Sequence, residues 1–372
     1  RASAFTGRTE WHTGDTLIQK DLANTLKRIR DRGAKGFYSG RTAGLLVAEM
    51  KRGGGIVGKK DLSAYRSQSR EALEFSYRGH HIIGFPPPSS GGVILGQALK
   101  MLEAYPLEQY GFQSPEAVQL IVEAERRAYA DRAEHLGDPD FWKVPVAQLL
   151  SSTYLKKRMA DFEWGKASVS ASIKAGDFRE SDQTTHLSIV DPEGNMVAVT
   201  TTLNGAYGSK TVVGGAGFIL NNEMDDFSIK PGVANMYGAI GGDANAIEAN
   251  KRMLSSMCPT LVLKNGKPYM VVGTPGGTTI PTSVLQALVN SIDFKLDAAS
   301  AINYPKFHHQ WLPDVVDIET GFPEETRKKL ESMGYTFRLR DGIGRTEIIV
   351  IGPDGKLHAA ADKRGEDSVA GF

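Results

Sequence analysis

The sequence predicts an α+β protein whose sheets and helices form layers, in an αββα or related α+β arrangement. Predicted strands and helices occur in blocks, whereas a doubly wound parallel sheet requires strict alternation of strand and helix. The 372 residues are 41% hydrophobic and 23% charged, which is typical of a globular protein with one large domain or two smaller ones. A sizeable hydrophobic core is therefore expected.

The first half of the chain is predicted to be mainly helical. Apolar side chains recur at helical spacing over residues 16–32, and Gly33 ends the pattern. Residues 151–181 are polar and show no clear period, so we interpret them as a flexible approach to the next element. The other elements predicted in this half are helices at 42–52, 93–105 and 114–136 and strands at 74–77 and 80–85.

The predicted helix over residues 114–136 carries many charged side chains. Pro115 favours a helix start, because a proline in the first turn loses no hydrogen bond. The simplest interpretation of the charged positions is a solvated face held by salt bridges. These positions are Glu123, Glu125, Arg126, Arg127, Asp131 and Arg132.

A β-hairpin is predicted next. Its arms, residues 184–190 and 196–204, are rich in Thr, Val and Ile, and the residues between them carry turn signals. If that loop is symmetric about Glu193, Thr202 lies directly opposite Thr184, with roughly 4.5–5.5 Å between Cβ atoms. The two hydroxyl groups would then touch, and Thr184 becomes a candidate nucleophile. The alternative is a hairpin without chemistry, because threonine is a common strand residue.

Alternation along the two arms predicts two faces of different character. One face carries hydroxyl groups, a histidine and an alanine, and the other is mainly apolar. The first set comprises Thr184, His186, Ser188, Ala198, Thr200 and Thr202, and the second comprises Thr185, Leu187, Ile189, Val197 and Val199.

After the hairpin the sequence becomes rich in glycine and β-branched residues. It lacks a nucleotide-binding loop, since the glycines at 214–217 have neither the spacing nor the lysine of a phosphate cradle. Predicted strands lie at 218–220, 260–263, 269–273, 347–351 and 357–360, and predicted helices at 282–291, 296–303 and 324–333.

Composition and charge narrow the class of partner. The 44 basic and 43 acidic residues give a net charge of +1, which provides no field for nucleic acid or an anionic membrane. No apolar run approaches ~18 residues, so no membrane span is expected. Cys258 is the single cysteine, which excludes an intrachain disulfide. The first residues do not resemble a signal peptide, and a leader could lie upstream of them. The expected partner is a small molecule.

Three clusters after the hairpin could carry chemistry, and each has a purely structural alternative. The amides and carboxylates of residues 221–227 suit an ammonium group, or they cap their own loop. Ser255 and Ser256 present paired hydroxyl groups just before a Cys-Pro break, where a serine turn is the alternative. Glycines within residues 273–279 allow two consecutive N–H groups to point at one spot, as in an oxyanion hole, or they form a tight turn.

The histidines give little support to other chemistries. His80-His81 and His308-His309 are adjacent pairs, and neighbours on a strand point to opposite faces, so neither pair alone forms a metal site. No HExxH, CxxC or GxSxG spacing occurs. A Ser-His-Asp hydrolase is poorly supported, and the sequence predicts no cofactor and no metal.

Taken together and in this order, the clusters resemble γ-glutamyltranspeptidase, a family of the N-terminal-nucleophile hydrolase class. The similarity spans nearly the whole chain, and for this class it implies a four-layer αββα sandwich. The segments that carry it are PPPSSGG (86–92), AYADRAEHLGDPDF (128–141), QTTHLSIVD (183–191), LNNEMDDFSIKPG (220–232), NKRMLSSMCPT (250–260), GTPGG (273–277) and FHHQWLPD (307–314).

The resemblance implies a precursor that cleaves itself between Gln183 and Thr184. Thr184 then becomes a new amino terminus, and its hydroxyl attacks a γ-glutamyl carbonyl. Its own α-amine, with a reference pKa of about 7.7–8.0, suits a general base near neutrality. Thr202 matches the hydroxyl that assists processing and orients the nucleophile.

The resemblance also places substrate contacts on this sequence. Asn204, Glu223 and Asp226 match residues that hold the α-amino group of the substrate. Residues 231–242 match a lid, with Tyr237 at the position of its gating tyrosine. The remaining matches are Ser255 and Ser256 on the α-carboxylate side, and the backbone N–H groups of Gly276 and Gly277 in the oxyanion hole.

Further expectations concern the whole protein. Residues 1–183 would be the C-terminal part of a large subunit whose upstream part is missing, and residues 184–372 the small catalytic subunit. Donors would be glutathione and related γ-glutamyl compounds, with amino acids, peptides or water as acceptors. Family members are typically periplasmic, secreted or at the cell surface. They also carry an upstream arginine that pairs with the substrate α-carboxylate. The 372 residues contain no counterpart of this arginine.

Two alternatives remain open. A glutaryl or cephalosporin acylase of the same class removes a side chain that has no α-amine, so it would have little use for Glu223 and Asp226. A catalytically inactive relative, truncated or unprocessed, would keep the fold and not turn over. The acidic pair favours γ-glutamyl transfer and hydrolysis over the acylase.

Overall fold

The computed structural model describes residues 7–173, 184–228 and 242–372, which divide into two compact units. The first unit comprises the described parts of residues 1–70 with residues 205–222. Its helices are α1 Lys20–Arg32, α2 Lys35–Tyr38, α3 Gly40–Gly53 and α4 Lys59–Ala64.

A small apolar core holds the first unit together. Leu46 of α3 and Leu62 of α4 pack with Val213 from the later segment. The hydroxyl of Thr25 donates to the carbonyl of Ala216 at 2.7 Å. The predicted strand at 218–220 is wrong, because this stretch forms only an isolated bridge between Val212 and Ile219 and its apolar side chains instead contribute to this core.

The second unit comprises the described parts of residues 71–204 and 223–372. Its helices are α5 Gly91–Leu102, α6 Leu107–Tyr110, α7 Pro115–His135, α8 Val146–Leu149, α9 Ser152–Arg158, α10 Thr279–Ile292, α11 Ala298–Asn303 and α12 Glu324–Ser332. Its strands are β1 Leu73–Tyr77, β2 His80–Gly84, β3 Thr185–Val190, β4 Met196–Thr201, β5 Thr260–Lys264, β6 Lys267–Gly273, β7 Phe307–His308, β8 Val316–Glu319, β9 Phe337–Arg340, β10 Glu347–Ile351 and β11 Leu357–Ala360.

These strands form three sheets. The largest has six strands in the order β1-β2-β5-β6-β10-β11, with antiparallel pairing throughout. Strands β3 and β4 form the hairpin sheet, and β7, β8 and β9 form a small mixed sheet whose strands were not predicted. The α+β class predicted from the sequence is confirmed.

The two faces of the six-stranded sheet have different neighbours. On one face Ile82, Val262 and Val272 join the main core together with residues of α5, α7 and α10. Gly273 follows Val272 directly, so strand alternation directs it to the opposite face. A Cβ atom on Gly273 would lie 2.1 Å from Cε1 of His186, which shows that the hairpin packs on that face. Helices, large sheet and hairpin therefore form successive layers.

Helix α7 is the main correction to the sequence analysis. Its charged residues were predicted to form a solvated face, but all are buried, with Glu123 at 0% exposure and Arg132 at 7%. The prediction failed because apolar residues of α7 itself, including Val118, Leu120 and Ile121, are distributed around the helix, and every residue from 117 to 133 is buried, so no face is left for solvent.

Glu123, Arg126 and Arg127 of α7 form a buried ion-pair network, whereas Glu125 accepts from the N–H of His309 at 2.9 Å and burial raises its pKa well above its ordinary value. Glu123 accepts from Arg126 Nε at 3.3 Å, from Arg127 Nη1 at 2.5 Å and from the hydroxyl of Tyr335 at 2.7 Å. These cations hold the pKa of the Glu123 carboxyl at about 2 although burial opposes that ionisation. Breaking such a buried network by removing one partner typically costs about 3–5 kcal/mol.

The segment predicted to be a flexible approach to the hairpin is partly ordered. Residues 152–158 form α9, which is capped by the hydroxyl of Ser151, and a short 3₁₀ turn follows at Ser170–Ser172. Residues 174–183, which include Gln183, lie outside the described residues.

The contact between Gly273 and His186 yields a stability prediction. Gly273→Ala should force the hairpin away from the large sheet and lower the stability of the fold by about 1–3 kcal/mol, as overpacking does. Thermal denaturation measures the effect. The matched control is Gly84→Ala in strand β2, where the nearest heavy atom to the new Cβ lies at an ordinary 3.5 Å. Equal melting temperatures for the two variants would contradict the layer contact.

Candidate active site

The hairpin has the register predicted from its loop. Strand β3 pairs antiparallel with β4, and Thr185 lies opposite Thr201. The loop is closed by Asp191, whose Oδ1 accepts from the N–H of Asn195 at 2.8 Å. One residue further along, the hydroxyl of Thr184 donates to Thr202 Oγ1 at 3.3 Å. The predicted contact between these two hydroxyl groups is confirmed, while their chemical roles remain predictions.

The hydroxylated face of the hairpin is the more buried one. His186 is buried on this face, and its ring nitrogens lie 2.8 Å from Thr200 Oγ1 and 3.1 Å from Ser188 Oγ. Burial lowers the pKa of His186 to about 4, so the ring is neutral near pH 7. On the opposite face Leu187 and Val199 are exposed. Period-2 alternation thus turns the polar side chains, including that of Thr184, toward the protein.

A short chain of contacts leads from the nucleophile candidate to the acidic cluster. The N–H of Asn204 donates to Thr202 Oγ1 at 2.8 Å. Asn204 has a φ of 71°, a left-handed conformation that asparagine tolerates better than most residues. Its side chain hydrogen-bonds to Asp226. Thr184, Thr202, Asn204 and Asp226 therefore lie together, and the roles that the resemblance implies for them remain predictions.

The acidic cluster has the electrostatics of a cation site. Glu223 and Asp226 lie on one 3₁₀ turn, and Asn245 Nδ2 donates to the carbonyl of Asp226 at 2.7 Å. Burial, and then the neighbouring Glu223, raise the pKa of Asp226 to about 7. Burial also raises the pKa of Glu223. Two adjacent carboxylates resist joint ionisation, and a bound ammonium group would relieve that repulsion.

Ser255 and Ser256 are held against the proline-rich segment 86–92. The N–H of Ser255 donates to the carbonyl of Pro88 at 2.9 Å, and its own carbonyl accepts from Ser90 N–H at 2.7 Å and from Ser90 Oγ at 2.8 Å. The serine pair is therefore fixed by main-chain contacts over a long sequence separation, which a simple local turn would not require.

Arg132 is a site residue that the sequence analysis missed. Its Nε donates to Ser90 Oγ at 3.1 Å, and its Nη2 donates to Ser256 Oγ at 3.3 Å. Its charge also acts to lower the pKa of Asp226, against the larger effect of burial. Arg132 thus joins the serine pair to the acidic cluster. The sequence analysis assigned Arg132 to a solvated face. The signal that it overlooked is the presence of apolar residues on all sides of the predicted helix.

The glycine turn after β6 has the backbone that its sequence predicted. Gly276 and Gly277 have φ angles of 141° and 56°, and a Cβ on Gly276 would lie 2.4 Å from Thr279 Oγ1. Thr279 anchors the turn, because its hydroxyl and its N–H donate to the Gly276 carbonyl at 2.7 and 3.0 Å. The turn starts beside strand β3, since Gly273 contacts His186. Its oxyanion role remains a prediction.

Some expectations fall outside the described residues. Tyr237 and residues 231–241 of the predicted lid are among them. Within residues 7–173, 184–228 and 242–372, no group of three or more His, Cys, Asp and Glu side chains is arranged to hold a metal ion. Over the same ranges, no helix combines the length and apolar character needed to cross a membrane.

Comparison with known families gives the decisive observation. A family model described as Gamma-glutamyltranspeptidase matches residues 2–372. The chain belongs to the γ-glutamyltranspeptidase family. The family assignment made from the motifs is thereby confirmed.

Individual γ-glutamyltranspeptidase relatives support the assignment. The chain is 49% identical over 362 residues to the glutathione hydrolase proenzyme of Escherichia coli (strain K12), covering 96% of this chain and 62% of the relative. It is 38% identical over 356 residues to the acylase ACY 1 proenzyme of Pseudomonas sp. (strain SE83), covering 95% of this chain and 61% of the relative. The chain thus spans about three fifths of the length of these relatives.

A solved structure supports the same fold. The crystal structure of cephalosporin acylase from Bacillus halodurans superposes with a TM-score of 0.84 and 26% sequence identity. The match covers 97% of this chain and 64% of that chain. Acylases therefore share this architecture but are more distant in sequence than the glutathione hydrolase relative.

The raised pKa of Asp226 yields a prediction about stability. A carboxyl group whose pKa is raised on folding favours the protonated folded state, so its contribution is complete below pH 3.8 and is lost as the pH rises through about 7. Asp226→Asn should therefore be more stable than the parent protein at pH 8, by on the order of 1–4 kcal/mol, since one pKa unit is about 1.4 kcal/mol.

Thermal melts at pH 4 and pH 8 would measure this difference. Near pH 4 the Asp226→Asn variant and the parent should melt alike. Glu71→Gln, at an exposed position, is the control and should melt like the parent at both pH values. A variant of Asp226 that melts below the parent at pH 8 would contradict the predicted strain.

Proposed function

We propose that this protein is a γ-glutamyl transferase and hydrolase that cleaves glutathione and related γ-glutamyl compounds through an ester on Thr184. The observation that carries the proposal is the continuous set of contacts from Thr184 through Thr202 and Asn204 to Asp226. It joins a nucleophilic hydroxyl to a site for an ammonium group. A γ-glutamyl donor has both a carbonyl to attack and an α-ammonium group to hold.

The proposed reaction begins with cleavage between Gln183 and Thr184, which frees the α-amine of Thr184. That amine takes the proton of the Thr184 hydroxyl as the oxygen attacks the γ-glutamyl carbonyl. The N–H groups of Gly276 and Gly277 would stabilise the negative charge that develops on the carbonyl oxygen. The amine leaving group departs with the proton, and water or an amino acid or peptide amine then attacks the ester.

Substrate placement follows from the charges of the site. Glu223 and Asp226, with Asn204, would hold the α-ammonium group. Ser255 and Ser256 would contact the α-carboxylate, and Arg132 holds Ser256 in place from the protein side. We further propose that residues 231–242 act as a lid with Tyr237 as its gating tyrosine.

The wider architecture is proposed as a four-layer αββα sandwich of the N-terminal-nucleophile type. Support comes from the helices on one face of the large sheet and the hairpin on the other, and from the cephalosporin acylase superposition. Residues 1–183 would contribute to the large subunit and 184–372 would form the small catalytic subunit. A periplasmic, secreted or cell-surface location is proposed by analogy with the family.

The acylase alternative is supported by the 38% identical relative and by the solved structure. The acidic pair argues against it. A glutaryl group carries no α-ammonium group, so it offers no cation to the two carboxylates of Glu223 and Asp226. Two neighbouring carboxylates repel each other when both are ionised, and a bound ammonium group relieves that repulsion, so the pair favours a γ-glutamyl donor.

The nucleophile assignment predicts the behaviour of two variants at position 184. In the full-length protein, Thr184→Ala should give one uncut polypeptide without activity, because the attacking oxygen is gone. Thr184→Ser keeps the oxygen but loses the methyl group that restricts χ1, so it should cleave and turn over slowly. Gel electrophoresis over time and release of a chromogenic amine from a γ-glutamyl anilide follow both steps. Prompt cleavage in the alanine variant would exclude Thr184.

The Thr202 contact predicts a milder effect. Thr202→Ala leaves the nucleophile intact and removes only its cross-strand partner, so cleavage should be delayed and kcat reduced by roughly 10-fold or more, the size expected for a lost orienting contact. Thr201→Ala, on the exposed face, is the matched control and should behave like the parent. If both variants cleave and turn over equally well, the hydroxyl contact has no function.

The acidic pair predicts donor selectivity. Asp226→Ala should weaken binding of γ-glutamyl donors far more than it slows self-cleavage, because the ammonium partner exists only in the substrate. Loss of one member of a desolvated charge pair typically costs about 2–5 kcal/mol. KM for a γ-glutamyl anilide and KM for a glutaryl anilide should be measured in the parent enzyme and in the Asp226→Ala variant. A parent enzyme that prefers the glutaryl anilide would favour the acylase instead.

A further inference from the structure

Arg345 touches both parts of the proposed catalytic centre. It lies two residues before β10, and its Nη2 donates to the carbonyl oxygen of Thr184 at 3.3 Å. Its backbone N–H donates to Thr274 Oγ1 at 2.8 Å. Thr274 is fully buried and directly follows β6, two residues before Gly276. One residue therefore contacts the nucleophile through its side chain and the start of the glycine turn through its main chain.

The backbone before Arg345 is closely packed against the glycine turn. Gly344 has a φ of 64°, and a Cβ there would lie 2.8 Å from Thr274 Oγ1 and 2.7 Å from Ser283 Oγ. A Cβ on Gly276 would in turn lie 3.2 Å from the Cα of Gly344. These close approaches fix the origin of the Arg345 side chain relative to the glycine turn.

Acidic groups also lie near the guanidinium of Arg345. Arg345 Nη1 lies 3.9 Å from Asp367 Oδ1. Glu347 is close enough for its ionisation to be influenced by both Arg345 and Asp367, and burial raises its pKa to about 8. Among the described residues, Glu347 Oε2 and Asp367 Oδ2 have no hydrogen-bond partner. The guanidinium is thus held electrostatically while Nη2 reaches the Thr184 carbonyl.

We propose that Arg345 is a positioning residue that anchors Thr184 by its carbonyl oxygen and sets its distance from the Gly276–Gly277 turn. The inference rests on the function proposed above. The anchored carbonyl belongs to the bond between Thr184 and Thr185, so the contact survives cleavage before Thr184. A residue that has become a chain end keeps only one peptide connection, and a hydrogen bond to its carbonyl restricts its rotation when that restraint is most needed.

The charge of Arg345 also acts on the proposed base. A cation within about 4–6 Å disfavours the protonated form of an amine. The guanidinium should therefore lower the pKa of the freed α-amine of Thr184 and increase the unprotonated fraction of that amine at neutral pH. The other charged or titratable groups around Thr184 and Arg345 lie on several elements. They are His186 on β3, Glu347 on β10, Asp367 in the C-terminal segment, and Asp226, which is linked to Thr184 by way of Asn204 and Thr202. Asp367 acts in the opposite direction, and Glu347 does so where it is ionised, above a pH of about 8.

The test compares Arg345→Gln and Arg345→Lys in the full-length protein. In Arg345→Gln, kcat for a γ-glutamyl anilide should fall by roughly 10- to 100-fold with little change in KM, since positioning and not donor binding is lost. The acid limb of its kcat/KM profile should move up by roughly half a pH unit or more, because the cation near the amine is gone. Arg345→Lys should recover part of kcat and leave the acid limb where it is in the parent.

The control is Arg338→Gln, which removes another half-exposed arginine whose Nε binds an aspartate, Asp317, at 2.6 Å on the β8–β9 sheet. It should lower the melting temperature without changing kcat or the pH profile. Arg345 variants that keep kcat within about twofold and an unmoved acid limb, or a control that loses kcat equally, would overturn the inference. A parent protein that cleaves itself but does not release the anilide would instead overturn the proposed function.

Discussion

The contact between the hydroxylated face of the hairpin and the large sheet is the constraint on which the site depends. Gly273 has no side chain, so the ring of His186 can lie directly on the strand that leads into the glycine turn. The nucleophile candidate Thr184 lies just before β3, two residues ahead of His186, and Gly276 of the glycine turn lies three residues after Gly273, the last residue of β6. Sheet packing therefore brings together two parts of the proposed catalytic centre that are about 90 residues apart in sequence.

The buried charges of helix α7 are a second feature on which the candidate site depends. These charges connect the hydrophobic core to the candidate site, since Glu123 and Arg127 pair deep in the protein while Arg132 reaches Ser90 and Ser256. Such networks require every member to be satisfied. Burial of a charged helix is thus compatible with stability. The same burial places the Arg132 guanidinium near Asp226, where it offsets part of the repulsion between neighbouring carboxylates.

Local patterns predicted much of this structure. The helix over 324–333 and the strands at 347–351 and 357–360 appear at α12, β10 and β11 within a residue or two, because each has a clear period and turn residues at both ends. The small sheet of β7, β8 and β9 was not predicted. Its strands are two to four residues long, and β8 and β9 pair in parallel across α12, so their existence depends on partners that are distant in sequence.

By itself the sequence determined the hairpin register, the contact of Thr184 with Thr202, the need for glycine at 276 and 277, and the family, since these depend on spacing and on backbone geometry within short segments. Only the tertiary structure decided which hairpin face is buried and that Arg132 belongs to the site. Alternation along a strand defines two faces but does not say which one meets another sheet, and a charged residue on a helix is solvated or buried according to what surrounds that helix.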